Sequence, residues 1–311
     1  MRVVFAGTPE AALPSLRALL DSAHEVVAVV TRPEARQGRG RKTSPSPVHE
    51  LALEAGLEVL TPTKPSDDDF VARLRELEPD AAPIVAYGGL IPPSVLAIPR
   101  HGWINLHFSL LPAWRGAAPV QHALMAGDDV TGASTFLLEE GLDTGPVFGT
   151  MTEAIGPTDT SGDLLTRLAE GGASLLVSTL DALANGDVTP IPQPRDGVSL
   201  APKIQVDDVR LDFSVPAFAV DRRIRGASPA PGGWAMLRGE RVKLLRSRLA
   251  DADGCPPLTP GELHATKTQV FAGALGGVVE LLEVQPHGKK VMRAADWARG
   301  LRLNEGESFG E

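Results

Sequence analysis

Residues 1–20 read MRVVFAGTPEAALPSLRALL. Arg2–Ala6 is a short apolar run, Gly7-Thr8-Pro9 breaks it, and apolar residues at helical spacing follow through Leu20. Strand, glycine turn and helix in that order are the opening unit of a doubly wound α/β sheet. Gly7 has no G-x-G-x-x-G partners, so the turn carries no dinucleotide fingerprint, and Gly7 is expected to serve the turn itself. Working outward, Glu25–Thr31 is almost wholly apolar and reads as a strand buried on both faces. A helix over Pro47–Gly56, a strand over Leu57–Leu60, a helix over Asp67–Leu77 and a strand over Asp80–Tyr87 continue the alternation. The pattern then predicts a strand ending at Phe108, a helix over Ala117–Met125, strands over Ala133–Leu138 and Pro146–Ile155, and a long helix closed by Asn185-Gly186. The expected fold is α/β, a doubly wound Rossmann-like domain over residues 1–186.

The chain has 311 residues, which favours two domains. Residues 187–207 are rich in Pro and polar residues and read as a linker. After it the texture changes. Val242–Leu245, Gln269–Ala272 and Val278–Pro286 are short β-type runs separated by Gly and Pro, and Phe218–Arg225 reads as a helix before them. A small all-β barrel is expected over residues 208–311. The net charge of −9 argues against a protein that coats nucleic acid over its whole surface, but not against a local basic face. Residues 1–207 carry 15 basic and 26 acidic side chains, whereas residues 208–311 carry 15 and 13. Within the acidic part, Arg32–Lys42 holds five basic residues and one acid. Such a run is either a solvated loop or a phosphate-binding arm for RNA. Cys255 is the one cysteine, so no internal disulfide forms. The opening apolar run is too short for a signal peptide and no run reaches a membrane span, so a cytoplasmic protein is expected.

Chemistry gathers in Gly102–Pro119, GWINLHFSLLPAWRGAAP. Asn105 and His107 lie two apart in a strand and therefore share a face. Further on, Gly141-Leu142-Asp143-Thr144-Gly145 offers a carboxylate between glycines. Singly, each of the three is ordinarily a structural residue. Together, an amide that donates to an oxyanion, an imidazole that handles a proton and an acid that orients it suffice for acyl transfer. No metal is expected, since His101, His107 and His122 show no ligand spacing with the acids. Asp143 beside His107 is expected to raise the imidazole pKa.

SLLPAWRGAAPVQ (109–121) and GLDTGPV (141–147) resemble motifs of the folate-dependent formyltransferases, in particular those acting on methionyl-tRNA. So do the opening FAGTPE, the AYG-x-x-x-P of residues 86–92, Ala201-Pro202-Lys203-Ile204 and Gly288-Lys289-Lys290-x-Met292. The resemblance implies a formyltransferase domain followed by an OB-like tRNA-binding barrel. It implies 10-formyltetrahydrofolate as donor and the α-amino group of methionyl-initiator tRNA as acceptor, for translation initiation. Asn105, His107 and Asp143 would be catalytic. Tyr87, Gly88 and Ser109, Leu110, Leu111 and Pro112 would line the folate pocket. Arg39, with Arg41 and Lys42, would engage the tRNA acceptor end. Arg115 would either anchor a folate carboxylate or phosphate, or pair with a nearby acid. The resemblance breaks at Ser228-Pro229-Ala230-Pro231-Gly232, where the family usually carries Asn-Pro and a large residue. No membrane and no obligate protein partner are expected. The competing readings are a formyltransferase acting on a sugar-nucleotide or ribonucleotide amine, and a non-catalytic RNA-binding module.

Overall fold

The computed structural model describes residues 1–36, 43–250 and 255–310. Arg39, Arg41 and Lys42 therefore lie outside the described residues. The chain forms two compact units, one of residues 1–116, 132–153 and 165–200, the other of residues 117–131, 154–164 and 201–311.

In chain order the elements begin with β1 (Arg2–Gly7), α1 (Leu13–Leu20), β2 (Glu25–Val30), the short pair β3 (Ala35–Arg36) and β4 (Thr43–Ser44), and α2 (Pro47–Glu54). There follow β5 (Val59–Leu60), α3 (Asp68–Glu76), β6 (Ala82–Val85), α4 (Pro93–Leu96), β7 (Trp103–His107), α5 (Pro119–Ala126), β8 (Val130–Leu137), β9 (Val147–Ala154) and α6 (Ser161–Asn185). Seven strands form one sheet in the order β5-β2-β1-β6-β7-β8-β9. The pairs β5–β2, β2–β1, β1–β6 and β6–β7 are parallel, and β8 runs antiparallel to β7. The central strands are continuous apolar runs because helices cover both faces: Val3, Val4, Phe5 and Ala6 are all fully buried.

The chain steps outward from β1 to β2 and β5, then returns to β6 on the other side of β1. That reversal opens a crevice at the carboxyl ends of β1 and β6, where ligands of such sheets bind. There the Thr8 hydroxyl donates to the Tyr87 carbonyl at 2.9 Å. Gly7 is required by close packing: an added Cβ would stand 2.8 Å from Ala12 Cβ and 3.0 Å from the Val85 carbonyl oxygen.

Strand β7 is locked from behind. Leu106 is 2% exposed, and α6 approaches it closely at Gly172, where a Cβ would meet Leu106 Cδ2 at 2.9 Å. Alternation along the strand then sends Asn105 and His107 to the opposite face.

The later elements are α7 (Ala217–Ala227), β10 (Gly233–Leu237), β11 (Glu240–Ala250), β12 (Leu263–Ala265), β13 (Val270–Ala274), β14 (Gly277–Pro286), β15 (Met292–Arg293) and α8 (Ala294–Leu301). The strands form an antiparallel sheet in the order β10-β11-β14-β13-β12, with β15 on β14. The tail closes it: Gly310 bridges to Met236 on one edge and Ser308 to Glu262 beside the other. Phe309 N–H donates to the Gly261 carbonyl at 2.8 Å. Its ring stacks on Phe213 at 5.2 Å and lies 6.3 Å from Trp297 of α8. These bridges cover part of each outer edge and reduce the backbone left for another chain to pair with. Strands β10 and β12 and helix α8 go beyond the elements expected from sequence.

Because Phe309 both fills the core and carries the closing backbone, Phe309→Ala is expected to cost about 3–5 kcal/mol. Urea unfolding followed by tryptophan fluorescence, which reads Trp234 and Trp297 in this unit, checks this.

Candidate active site

His107 is held at one ring nitrogen and poised at the other. Its Nε2 lies 2.9 Å from the Trp114 carbonyl oxygen. A carbonyl only accepts, so Nε2 carries a proton and donates. Nδ1 then holds the lone pair of the neutral ring. It faces Asp143 Oδ2 at 3.7 Å, beyond a direct hydrogen bond. The same Oδ2 accepts from the Gly116 backbone N–H at 2.7 Å. The Phe136 ring meets the imidazole edge to face, with centroids 6.3 Å apart. The His107 side chain is 7% exposed and that of Asp143 13%.

Burial pushes the His107 pKa below the ordinary imidazole value, and the opposing pull of Asp143 and the Trp114 hydrogen bond does not reverse it. The expected rise is therefore corrected: desolvation of the imidazolium outweighs the carboxylate. Asn105 shares the β7 face with His107 and is half-buried. Its carboxamide makes no hydrogen bond among the described residues, leaving two donors free.

Two non-glycine residues with left-handed backbone aim these groups. Trp114 has φ 60° and Asp143 φ 49°. Such conformations cost of order 1–3 kcal/mol and persist where surroundings over-determine them. The surroundings are visible here. A Cβ on Gly145 would fall 1.7 Å from the Leu137 carbonyl oxygen, so the turn after Asp143 hugs β8 as only glycine allows. The Trp114 N–H donates to Ser199 Oγ at 2.8 Å and the Arg115 N–H to the Ser199 carbonyl at 2.9 Å. Gln193 Nε2 donates to the carbonyls of Asp143 at 2.9 Å and Gly145 at 2.7 Å. Gln193 Oε1 accepts from Arg115 at 3.1 and 2.7 Å. Arg115 is thus paired with an amide, not with the acid that was one of its expected partners. Gln193, Ser199 and the Trp114 carbonyl escaped the sequence reading. Nothing in a Pro-rich stretch between long elements marks a contact this far from it in the chain.

The expected folate-pocket residues divide. Ser109 is fully buried, and its hydroxyl donates to the Ala113 carbonyl at 2.6 Å. Leu110 packs over Gly132. Leu111 and Pro112 are half-buried, and the Leu111 N–H donates to Ser134 Oγ at 3.1 Å. Tyr87 is 3% exposed, with its ring in the apolar core. The Gly88 carbonyl accepts from Arg32 at 2.5 Å. The side chains of Ser109 and Tyr87 therefore shape the loops from inside, leaving backbone and the Leu111-Pro112 edge as the surfaces a ligand could meet. Among the described residues no group of His, Cys, Asp and Glu could hold a metal ion, and no helix is long and apolar enough to cross a membrane.

An amide donor, a neutral imidazole with a free lone pair and a nearby carboxylate can stabilise an oxyanion and move one proton. The comparisons with known proteins accord with that chemistry. The formyl transferase sequence model matches residues 1–180, and the model of the formyl transferase C-terminal domain matches residues 203–302. The methionyl-tRNA formyltransferase of Streptomyces coelicolor is 61% identical over 313 residues, covering 100% of both chains. That of Thermobifida fusca is 59% identical over 311 residues, again covering 100% of both. Among solved structures, HypX from Aquifex aeolicus in complex with tetrahydrofolic acid superposes with TM-score 0.69 at 19% identity, over 99% of this chain and 48% of that one. WlaRD, a sugar 3N-formyl transferase, superposes with TM-score 0.69 at 17% identity, over 93% and 99%. These two likenesses are of fold. With both domain models matched and curated relatives aligned end to end, the chain belongs to the formyl transferase family.

Proposed function

We propose that this protein transfers the formyl group of 10-formyltetrahydrofolate to the α-amino group of methionyl-initiator tRNA, in translation initiation. The observation that carries the reading is identity near 60% along the whole chain, barrel included, to curated methionyl-tRNA formyltransferases. The basic run at 32–42 supports an RNA acceptor over a small one.

The acceptor amine, with an ordinary pKa near ~8, needs no strong base to become nucleophilic. It adds to the formyl carbon, and Asn105 donates to the oxyanion that forms. His107 Nδ1 takes the proton the amine sheds, and the Asp143 carboxylate stabilises the resulting imidazolium. Across the 3.7 Å gap the carboxylate acts on the imidazolium by its charge, without a direct hydrogen bond. As the carbon–N10 bond breaks, the His107 imidazolium passes that proton to N10, tetrahydrofolate leaves and the ring is neutral again. The folate rests against the Leu111-Pro112 edge and the backbone of residues 87–88. Arg39, Arg41 and Lys42 meet the phosphates of the acceptor end, and the barrel of residues 208–311 carries the body of the tRNA.

The direct test is transfer of labelled formyl from 10-formyltetrahydrofolate to methionyl-initiator tRNA, against uncharged tRNA and water controls. Formate release without labelled tRNA would sink the reading. Asn105→Ala is expected to lower kcat by roughly 10²–10³-fold, and His107→Ala and Asp143→Ala by roughly 10²–10⁴-fold, with circular dichroism unchanged. Arg39→Ala is expected to raise KM for the charged tRNA while leaving that for folate in place; equal loss of both would point to a folding defect. Because the native imidazole resists protonation, the unfolded chain binds the extra proton first as pH falls below about 6.5. His107 therefore contributes nothing against unfolding at neutral pH and an increasing penalty on acidification. Its NMR titration should show a midpoint below that of free histidine; a midpoint above it would refute the assignment.

A further inference from the structure

We propose that Gln193 is a positioning residue for the reacting groups: its carboxamide ties the Asp143 turn to the Trp114–Arg115 turn and so sets Asp143 Oδ2 against His107 Nδ1. The amide has two N–H donors and an oxygen with two lone pairs. Both donors go to main-chain carbonyls of one turn, those of Asp143 and Gly145. Both lone pairs go to the Arg115 guanidinium of the other. No bonding capacity is left over, so the side chain is read as a two-ended clamp and not as a ligand contact.

The segment that carries Gln193 is itself pinned at both ends. Ile191 exchanges two backbone hydrogen bonds with Val147, each 2.8 Å. Ser199 holds the N–H groups of Trp114 and Arg115, and Leu200 bridges to Arg115. A stretch of chain read from sequence as a linker is thus a strap across two loops. Each loop contributes one left-handed residue, and each of those residues aims an atom at the same imidazole: Trp114 its carbonyl, Asp143 its carboxylate. Among the described residues Gln193 makes no hydrogen bond to His107; its partners are Arg115 and the carbonyls of Asp143 and Gly145. It acts through the backbone on either side of Asp143.

The Asp143 turn has a second anchor in the Gly116 N–H, and Gln193 is itself partly exposed, so water can replace its bonds when the side chain is removed. Loss of the clamp should therefore loosen the turn without unfolding the protein. Placement errors of an ångström at a reacting group cost far more in rate than in binding.

Two substitutions separate the possibilities. Gln193→Met keeps the length of the side chain and removes all four hydrogen-bonding sites. Gln193→Glu keeps the acceptor for Arg115 and removes the donors to the Asp143 turn. Both should lower kcat by about 10- to 100-fold, with KM for folate and charged tRNA within about threefold of wild type. Gln193→Glu at wild-type kcat would overturn the proposal, because Arg115 pairing alone would then account for the residue. The kinetic arm rests on the formyl-transfer reading, so a second measurement stands apart from turnover. In [15N]histidine-labelled Gln193→Met, the His107 titration midpoint should fall by at least about 0.3 pH unit as the Asp143 charge retreats. Among the described residues that carboxylate supplies the charge facing the ring; its other neighbours are the Phe136 ring and the Trp114 carbonyl. An unchanged or raised midpoint would overturn the proposal whether or not the wild type transfers formyl. Wild-type inactivity with a lowered midpoint would instead overturn the formyl-transfer reading and leave the clamp standing.

Discussion

The hydrogen bond from His107 Nε2–H to the Trp114 carbonyl decides what the rest of the site can do. It occupies one ring nitrogen with a partner that can never give a proton back, which leaves Nδ1 as the ring's free acceptor. Trp114 makes that bond from a left-handed backbone, with its own N–H held by Ser199 Oγ. Burial lowers the pKa of the ring and so favours its neutral form, with the lone pair on Nδ1. Asp143 faces that lone pair without touching it, a separation that stores no direct bond to be broken when a proton arrives.

The frame behind this bond is the parallel sheet. Five strands in parallel register place the carboxyl ends of β1, β6 and β7 together, and the reversal between β1 and β6 opens the crevice beside them. Leu106, pressed against α6 at Gly172, prevents β7 from rotating about its axis. A strand locked on one face presents the residues of the other with little freedom. The antiparallel strand β8 then returns along β7 and supplies Ser134 and Phe136 as supports for the loop and the ring. Rigid elements carry Asn105 and His107, whereas Asp143 arrives on a turn and needs ties from several directions. That division is why the glycines, the Gly116 N–H and the Gln193 amide all converge on the turn rather than on the strand.

The C-terminal barrel solves a different problem. A small sheet with two open edges invites pairing with other chains. Here the last residues of the chain lace Met236 and Glu262 together, and Phe309 plugs the gap they leave. The terminal segment spans both outer strands with few residues. The barrel belongs to the part of the chain whose charge balance is basic, in contrast to the acidic first part.

The doubly wound fold and the presence of Asn105 and His107 on one face were legible in sequence because both follow from local periodicity. Apolar runs of strand length alternating with helical spacing leave few topologies open, and side chains two apart on a strand cannot help sharing a face. The motifs around SLLP and GLDTG carried the family. What sequence could not show is anything that depends on through-space approach between distant segments. The sign of the His107 shift was one such case, because burial, unlike the nearness of an acid, has no local signature. The partner of Arg115 was another: an amide 78 residues on, rather than a neighbouring acid. The small strands β10 and β12 escaped because each is short and owes its existence to pairing with a neighbour. Residues 187–207 read as a linker because Pro and polar residues break periodicity, yet Gln193 and Ser199 hold the two turns that aim at the imidazole. Local pattern determined which elements form and which face each side chain takes; tertiary packing alone decided which distant atoms meet, because hydrogen bonds and desolvation depend on distance in space and not on distance along the chain.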